Sequence, residues 1–85
     1  MKKKYIIYAR ESCPYCKKIM NYMKEKNKSF IYLVLHDLEE DLVEIKQRYN
    51  WTTVPMVVEL GGEDGEEKFI GGCDDTIQYF EREQT

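Results

Sequence analysis

Apolar positions along the chain alternate between two rhythms, one suited to buried strands and one to helices. Lys4 to Ala9 (K-Y-I-I-Y-A) is almost continuously apolar and β-rich, which predicts a central strand covered on both faces. A polar loop, Arg10-Glu11-Ser12, follows. From Pro14 to about Lys26 the residues Ile19, Met20, Tyr22 and Met23 fall on one helical face, and Lys17, Lys18, Lys24 and Lys26 fall mostly elsewhere. Asn27 is the expected helix stop. Phe30 to Leu35 reads as a second buried-type strand, and strand–helix–strand with short connections implies a right-handed parallel unit. Asp37 is placed to cap a second helix carrying Leu38, Leu42, Val43, Ile45 and Tyr49 at helical spacing, ended by Asn50. Glu39, Glu40 and Asp41 occupy its first turn, where the helix dipole favours acids, so they read as a solvated helix start and not as a metal site. Met56 to Leu60 and Glu67 to Ile70 predict a hairpin around the turn Gly61 to Gly65. Gly71-Gly72 breaks the last strand. Asp74-Asp75 is placed to cap a final helix with Ile77 and Phe80 inward, and the chain is expected to fray at Glu83 to Thr85. The layout is β-α-β-α-β-β-α, an α/β fold in a single domain over residues 1–85.

The candidate chemistry sits between the first strand and the first helix, in R-E-S-C-P-Y-C-K-K (Arg10 to Lys18). A C-x-x-C at this place reads as a redox dithiol. With Cys13 at the mouth of the helix and Cys16 in its first turn, the sulfurs can join with little backbone movement. The free N–H groups and positive end of the helix favour a thiolate at Cys13, and Arg10, Lys17 and Lys18 add positive charge. Pro14 suits the first helical position because it has no N–H to leave unsatisfied. Half a zinc site is the rival reading of the pair. A structural zinc ion needs four ligands, usually in two close pairs, and only Cys73 and His36 remain, single and far apart. No metal is expected. His36, alone at a strand end, reads as a surface or hydrogen-bonding residue.

Composition narrows the picture further. The chain has 85 residues, of which 42% are hydrophobic, so it builds one small core and is not disordered. A net charge of −3 argues against general nucleic-acid binding. Three cysteines are too few, and odd in number, for a secreted disulfide scaffold, so a reducing, cytoplasmic location is expected. The longest apolar run, Phe30 to Leu35, is far short of a membrane span. Met1 to Ala9 has a faint signal-peptide look, but its apolar part is short and Arg10-Glu11 breaks it. A monomer is expected.

C-P-Y-C after the first strand, T-V-P (Thr53 to Pro55) before the third and G-G-C-D-D (Gly71 to Asp75) after the fourth resemble the glutaredoxins over almost the whole chain. The resemblance implies a thioredoxin-like fold, a four-stranded mixed sheet flanked by three helices. It implies glutathione as reductant and co-substrate, with protein–glutathione mixed disulfides and protein disulfides as substrates and ribonucleotide reductase as a candidate recipient of electrons. A potential of about −200 to −230 mV goes with that class.

By the same resemblance Cys13 is the nucleophile and Cys16 the resolving thiol. Tyr15 lines a glutathione groove, with packing on the helix flank as its alternative role. Thr53, Val54 and Pro55 form a cis-proline loop that offers the Val54 backbone to an extended substrate, with an ordinary turn proline as the alternative. Gly72, Cys73, Asp74 and Asp75 form the γ-glutamyl site. There helix N–H groups meet the α-carboxylate, an Asp holds the α-amino group, and Cys73 supplies a backbone contact, not a redox sulfur. Arg10 stands where the family usually has Lys and is suited to grip the glycyl carboxylate bidentately. The chain departs from the family on the second helix, where an ungapped count puts Leu42 at the place of an Arg or Gln that meets that carboxylate. Gln47 and Arg48 are the possible substitutes. Two rival functions stay open: a thioredoxin-like donor recharged by a flavoprotein reductase, and a [2Fe–2S] module like the monothiol C-G-F-S relatives. G-G-C-D-D counts against the first, and Pro14 with the second cysteine against the second.

Overall fold

The strand predicted at Lys4 to Ala9 forms with those bounds and takes an inner place in the sheet. The computed structural model describes residues 3–35, 40–61 and 67–83. Among them the elements are β1 (Lys4–Ala9), α1 (Pro14–Glu25), β2 (Ser29–Val34), α2 (Glu40–Arg48), β3 (Met56–Leu60), β4 (Lys68–Gly71) and α3 (Cys73–Glu83). The sheet order is β2-β1-β3-β4. β1 runs parallel to β2, with Lys4 opposite Ser29 and Ala9 opposite Val34. It runs antiparallel to β3, with Lys4 opposite Leu60 and Tyr8 opposite Met56. β3 and β4 pair antiparallel with an irregularity at Val57/Val58. This is the four-stranded mixed sheet flanked by three helices that the resemblance implies.

Alternation along β1 sends Tyr5, Ile7 and Ala9 to one face, and all three are buried. α1 and α3 cover that face, where Ile19, Met23 and Phe80 pack with Tyr5, Ile7, Val57 and Cys73. The Phe80 ring meets Tyr5 edge-on at 5.1 Å and stacks with Tyr22 at 6.2 Å. The opposite face carries Phe69, on which Tyr49 from the end of α2 stacks at 4.7 Å. Glu59 is a buried carboxylate on β3, and it is satisfied on both oxygens. The Tyr79 hydroxyl donates to it at 2.8 Å and Lys3 Nζ lies 3.3 Å away.

Both predicted helix stops hold. Asn27 and Asn50 take left-handed φ values of 57° and 53°. After α1 the Asn27 N–H donates to Lys24 O and the Lys28 N–H to Met23 O, and after α2 the Asn50 N–H donates to Gln47 O and the Trp51 N–H to Lys46 O. This pair of bonds satisfies the last carbonyls of each helix.

Three sequence expectations are corrected. β2 is not a buried strand: Ile31, Leu33 and Val34 are 49%, 39% and 46% exposed. It lies at the sheet edge, and only Phe30 and Tyr32 turn toward the packed face. The fourth strand sits one residue later than predicted, because Gly71 still pairs with Val57. Asp74 and Asp75 do not cap α3 from outside but lie in its first turn. The start is tied instead by the Gly72 N–H donating to Asp75 Oδ2 at 3.2 Å and by Thr76 Oγ1 donating to Gly72 O at 2.7 Å. His36, Asp37, Leu38 and Glu39, with the predicted cap of α2, and the hairpin turn past Gly61 lie outside the described residues.

Candidate active site

β1 ends at Ala9, and the chain must reverse at once to enter α1. Ser12 makes the reversal with a left-handed φ of 57°, a conformation that costs a residue with a Cβ. Cys13 is then extended and serves as the N-cap of α1, with Pro14 in the first turn. Its sulfur accepts the Cys16 N–H at 3.2 Å. Cys13 and Cys16 are joined as a disulfide with their Cα atoms 5.3 Å apart. The pair packs against Ala9, Tyr32 and Val54. Cys16 is 0% exposed and Cys13 5%, so what access the pair offers is at Cys13.

Beside the dithiol lies a cleft of about 350 Å³. Tyr15 enters it from α1, Trp51 and Thr53 to Pro55 from the loop before β3, and Gly72 to Asp75 from the start of α3. The Val54–Pro55 bond is cis, as the resemblance implied. Tyr15 is 60% exposed, a ring standing at the rim and not packed on its helix. On the α3 side the Thr76 N–H donates to Gly72 O at 3.0 Å. The amides of the first turn, ahead of it, therefore have no intrahelical acceptor and are free to receive an anion.

Cys73, the third thiol, is buried. Burial pushes its pKa up, Lys18 pulls it down to a lesser degree, and Asp74 adds a smaller upward push. It is held as a neutral thiol, consistent with a role through its backbone. Among the described residues no cluster of His, Cys, Asp and Glu able to hold a metal is present.

The structure thus gathers Tyr15, Thr53, Val54, Pro55, Gly72, Cys73, Asp74 and Asp75 around one cleft next to Cys13 and Cys16. Arg10 stands apart: it is exposed past the end of β1 and does not line the cleft. Leu42 is fully buried, and Arg48 pairs with Glu44 at 3.3 Å. Gln47 lines a neighbouring recess. Sequence reasoning missed Trp51, although a tryptophan directly ahead of T-T-V-P was a visible signal.

The glutaredoxin family profile matches residues 5–63 of the chain. The chain belongs to the glutaredoxin family. It is 33% identical over 69 residues to glutaredoxin 3 of Escherichia coli, covering 81% of this chain and 76% of that one. It is 36% identical over 75 residues to the hybrid peroxiredoxin hyPrx5 of Haemophilus influenzae, covering 87% of this chain but 28% of that protein. The fold superposes on that of a buckwheat glutaredoxin in complex with glutathione with a TM-score of 0.72 at 23% identity, covering 94% of this chain and 70% of that one. This glutaredoxin is accordingly a thiol–disulfide oxidoreductase, and its Cys13–Cys16 pair is the redox disulfide.

Proposed function

We propose that this glutaredoxin is a glutathione-dependent enzyme that reduces protein–glutathione mixed disulfides through Cys13 and protein disulfides through Cys13 and Cys16. The observation that carries the reading is the cleft, which places a cis-proline loop and the open first turn of α3 on either side of the ground next to the dithiol. A tripeptide with a charged α-amino and α-carboxylate end finds Asp74 or Asp75 and the α3 amides at one side. Its cysteine backbone finds Val54, which packs against the two sulfurs. The related buckwheat protein was solved with glutathione, which supports the same ligand here.

With glutathionylated protein, the Cys13 thiolate attacks the glutathione sulfur. The protein leaves as a thiolate that takes up a proton, and Cys13 is left bonded to glutathione. A second glutathione, as its thiolate, attacks that glutathione sulfur, giving oxidised glutathione and the free Cys13 thiolate. With a protein disulfide, Cys13 first bonds to one substrate sulfur and the other leaves as a thiol. The Cys16 thiolate then attacks Cys13, releasing the second substrate thiol and forming the disulfide seen here. Two glutathiones reduce it. Ribonucleotide reductase is one candidate recipient on this second route. A peroxiredoxin is another, since a relative of this chain is a hybrid peroxiredoxin.

The test is reduction of a small glutathione mixed disulfide coupled to glutathione reductase, with Cys13→Ser as control. Robust turnover, abolished in Cys13→Ser, is the expected result. A Cys13–Cys16 disulfide that cycles with a flavoprotein reductase but not with glutathione replaces this reading with that of a thioredoxin-like donor.

A further inference from the structure

Trp51 is the part of the cleft that no motif accounts for. It is the sole tryptophan of the chain. The residue lines both the cleft and a second recess of about 340 Å³, whose other walls include Val43, Lys46, Gln47 and Thr52. On the cleft side the ring faces Gly72: a Cβ built on that glycine would lie 3.8 Å from Trp51 Cζ2. Behind it the Phe69 ring stands edge-to-face at 5.2 Å, and Phe69 in turn stacks on Tyr49. The indole Nε1–H is buried with no acceptor among the described residues. Aromatic packing, not a hydrogen bond, therefore holds the ring in place.

We propose that Trp51 is a specificity-determining residue that closes the cleft at its Gly72 side and restricts the thiol substrate to one with an unsubstituted α-amino end. The inference rests on the glutathione reading given above. Under that reading Gly72 to Asp75 receives the γ-glutamyl group, so a substituent on its α-amino nitrogen would run into the indole. Without the ring, the two recesses join into one trough that continues past Val43 and Lys46, and the substituent has somewhere to go. Trp51 does not belong to the group of residues packed on the sulfurs. Its removal therefore changes how the disulfide is seated and leaves the sulfur exchange alone, which is an effect on KM and not on kcat.

The experiment compares wild type, Trp51→Phe and Trp51→Ala on two substrates: the mixed disulfide of glutathione with 2-mercaptoethanol, and the same compound acylated on the α-amino nitrogen with a bulky aromatic group. Released 2-mercaptoethanol is followed by chromatography. Wild type is expected to favour the unsubstituted substrate by roughly tenfold or more in kcat/KM, the scale on which pocket shape discriminates. Trp51→Ala is expected to bring the two substrates close to parity, with a raised KM and unchanged kcat for the unsubstituted one. Trp51→Phe keeps most of the discrimination. A second readout needs no turnover: loading glutathione onto Cys13 of Cys16→Ser changes the Trp51 fluorescence, and loading 2-mercaptoethanol leaves it nearly unchanged. Equal discrimination in wild type and Trp51→Ala, or identical fluorescence with either adduct, overturns the role of Trp51 and leaves the glutathione reading standing. Failure of wild type on the unsubstituted substrate overturns that reading itself.

Discussion

The backbone N–H of Cys16 points at the sulfur of Cys13 from 3.2 Å. Cys13 is both the cap of α1 and the less deeply buried member of the redox pair, so the donor that satisfies the helix start is also the donor that meets the reacting sulfur. After reduction, the same N–H and the positive end of α1 stabilise a thiolate there. Cys13 is therefore expected to titrate below the roughly 8.5 of a free cysteine. Ultraviolet thiolate absorbance of the reduced protein, with Cys13→Ser as the blank, checks this. A midpoint at or above the free value would contradict it.

Under the proposed function the two sulfurs divide the chemistry unequally. Cys16 is fully buried beneath Cys13, where it can attack Cys13 but cannot meet a bulky substrate. Cys16→Ser should retain most of its turnover on glutathione mixed disulfides, because on the proposed route a second glutathione supplies the resolving thiol. It should lose most of its activity on a protein disulfide, which needs Cys16 to release the substrate. Parallel kinetics on the two substrate types decide the matter, and equal loss of both would sink the division of labour.

How far these roles were legible in the sequence depends on how local their causes are. The dithiol, T-V-P and G-G-C-D-D could be found because each motif acts through its own backbone: a helix start, a cis-proline loop, a tight strand-to-helix turn. β1, α1 and β3 were legible from periodicity alone. The exposure of β2 was not, because an apolar strand reads the same whether topology puts it in the middle or at the edge. Trp51 was missed because its place in the cleft comes from facing Gly72, far along the chain. Leu42 was flagged by counting residues along α2, but a count does not say which face a position takes, and Leu42 turns into the protein interior. The start of α3 was displaced because the conformation of Gly71 decides it, and no side chain announces that.

Cys73 is expected to be chemically quiet. Burial raises its pKa above the ordinary cysteine value, so at neutral pH it is a thiol, whereas Cys13 is expected to be the more ionised of the two. Brief alkylation of reduced protein, read by peptide mass mapping, should label Cys13 well before Cys73. The same shift has a stability consequence. A raised folded-state pKa gives a contribution fully present below the unfolded value and lost as pH rises through the folded one. Tyr8, Tyr32 and Tyr49, raised above 10.0 chiefly by burial, act in the same direction. Urea midpoints of Cys13→Ser should be level through neutral pH and fall above about pH 9, and adding Cys73→Ala should flatten the first part of that fall. A midpoint that rises with alkaline pH would refute the assignment.

Gly71 should tolerate no side chain, whereas its neighbour should. Gly71 has a φ of 134°, and a Cβ there would lie 2.7 Å from Asp75 Oδ2 and 2.8 Å from Asp75 Cβ. An L residue is strained in that conformation, at a cost of about 1–3 kcal/mol, and the contact also drives the Asp75 carboxylate away from the Gly72 N–H it accepts. Gly71→Ala is thus expected to lower stability by about 2–3 kcal/mol and to raise the KM for a glutathione mixed disulfide, since Asp75 belongs to the cleft. At Gly72 the atoms nearest a built Cβ are Pro55 O at 3.7 Å, Trp51 Cζ2 at 3.8 Å and Asp75 Oδ2 at 3.9 Å. These are ordinary contact distances, so Gly72→Ala should cost less than about 1 kcal/mol. Denaturant midpoints and steady-state kinetics of the two variants, measured side by side, check both halves. If Gly72→Ala proves the more damaging to stability, the start of α3 is not held by the conformation of Gly71.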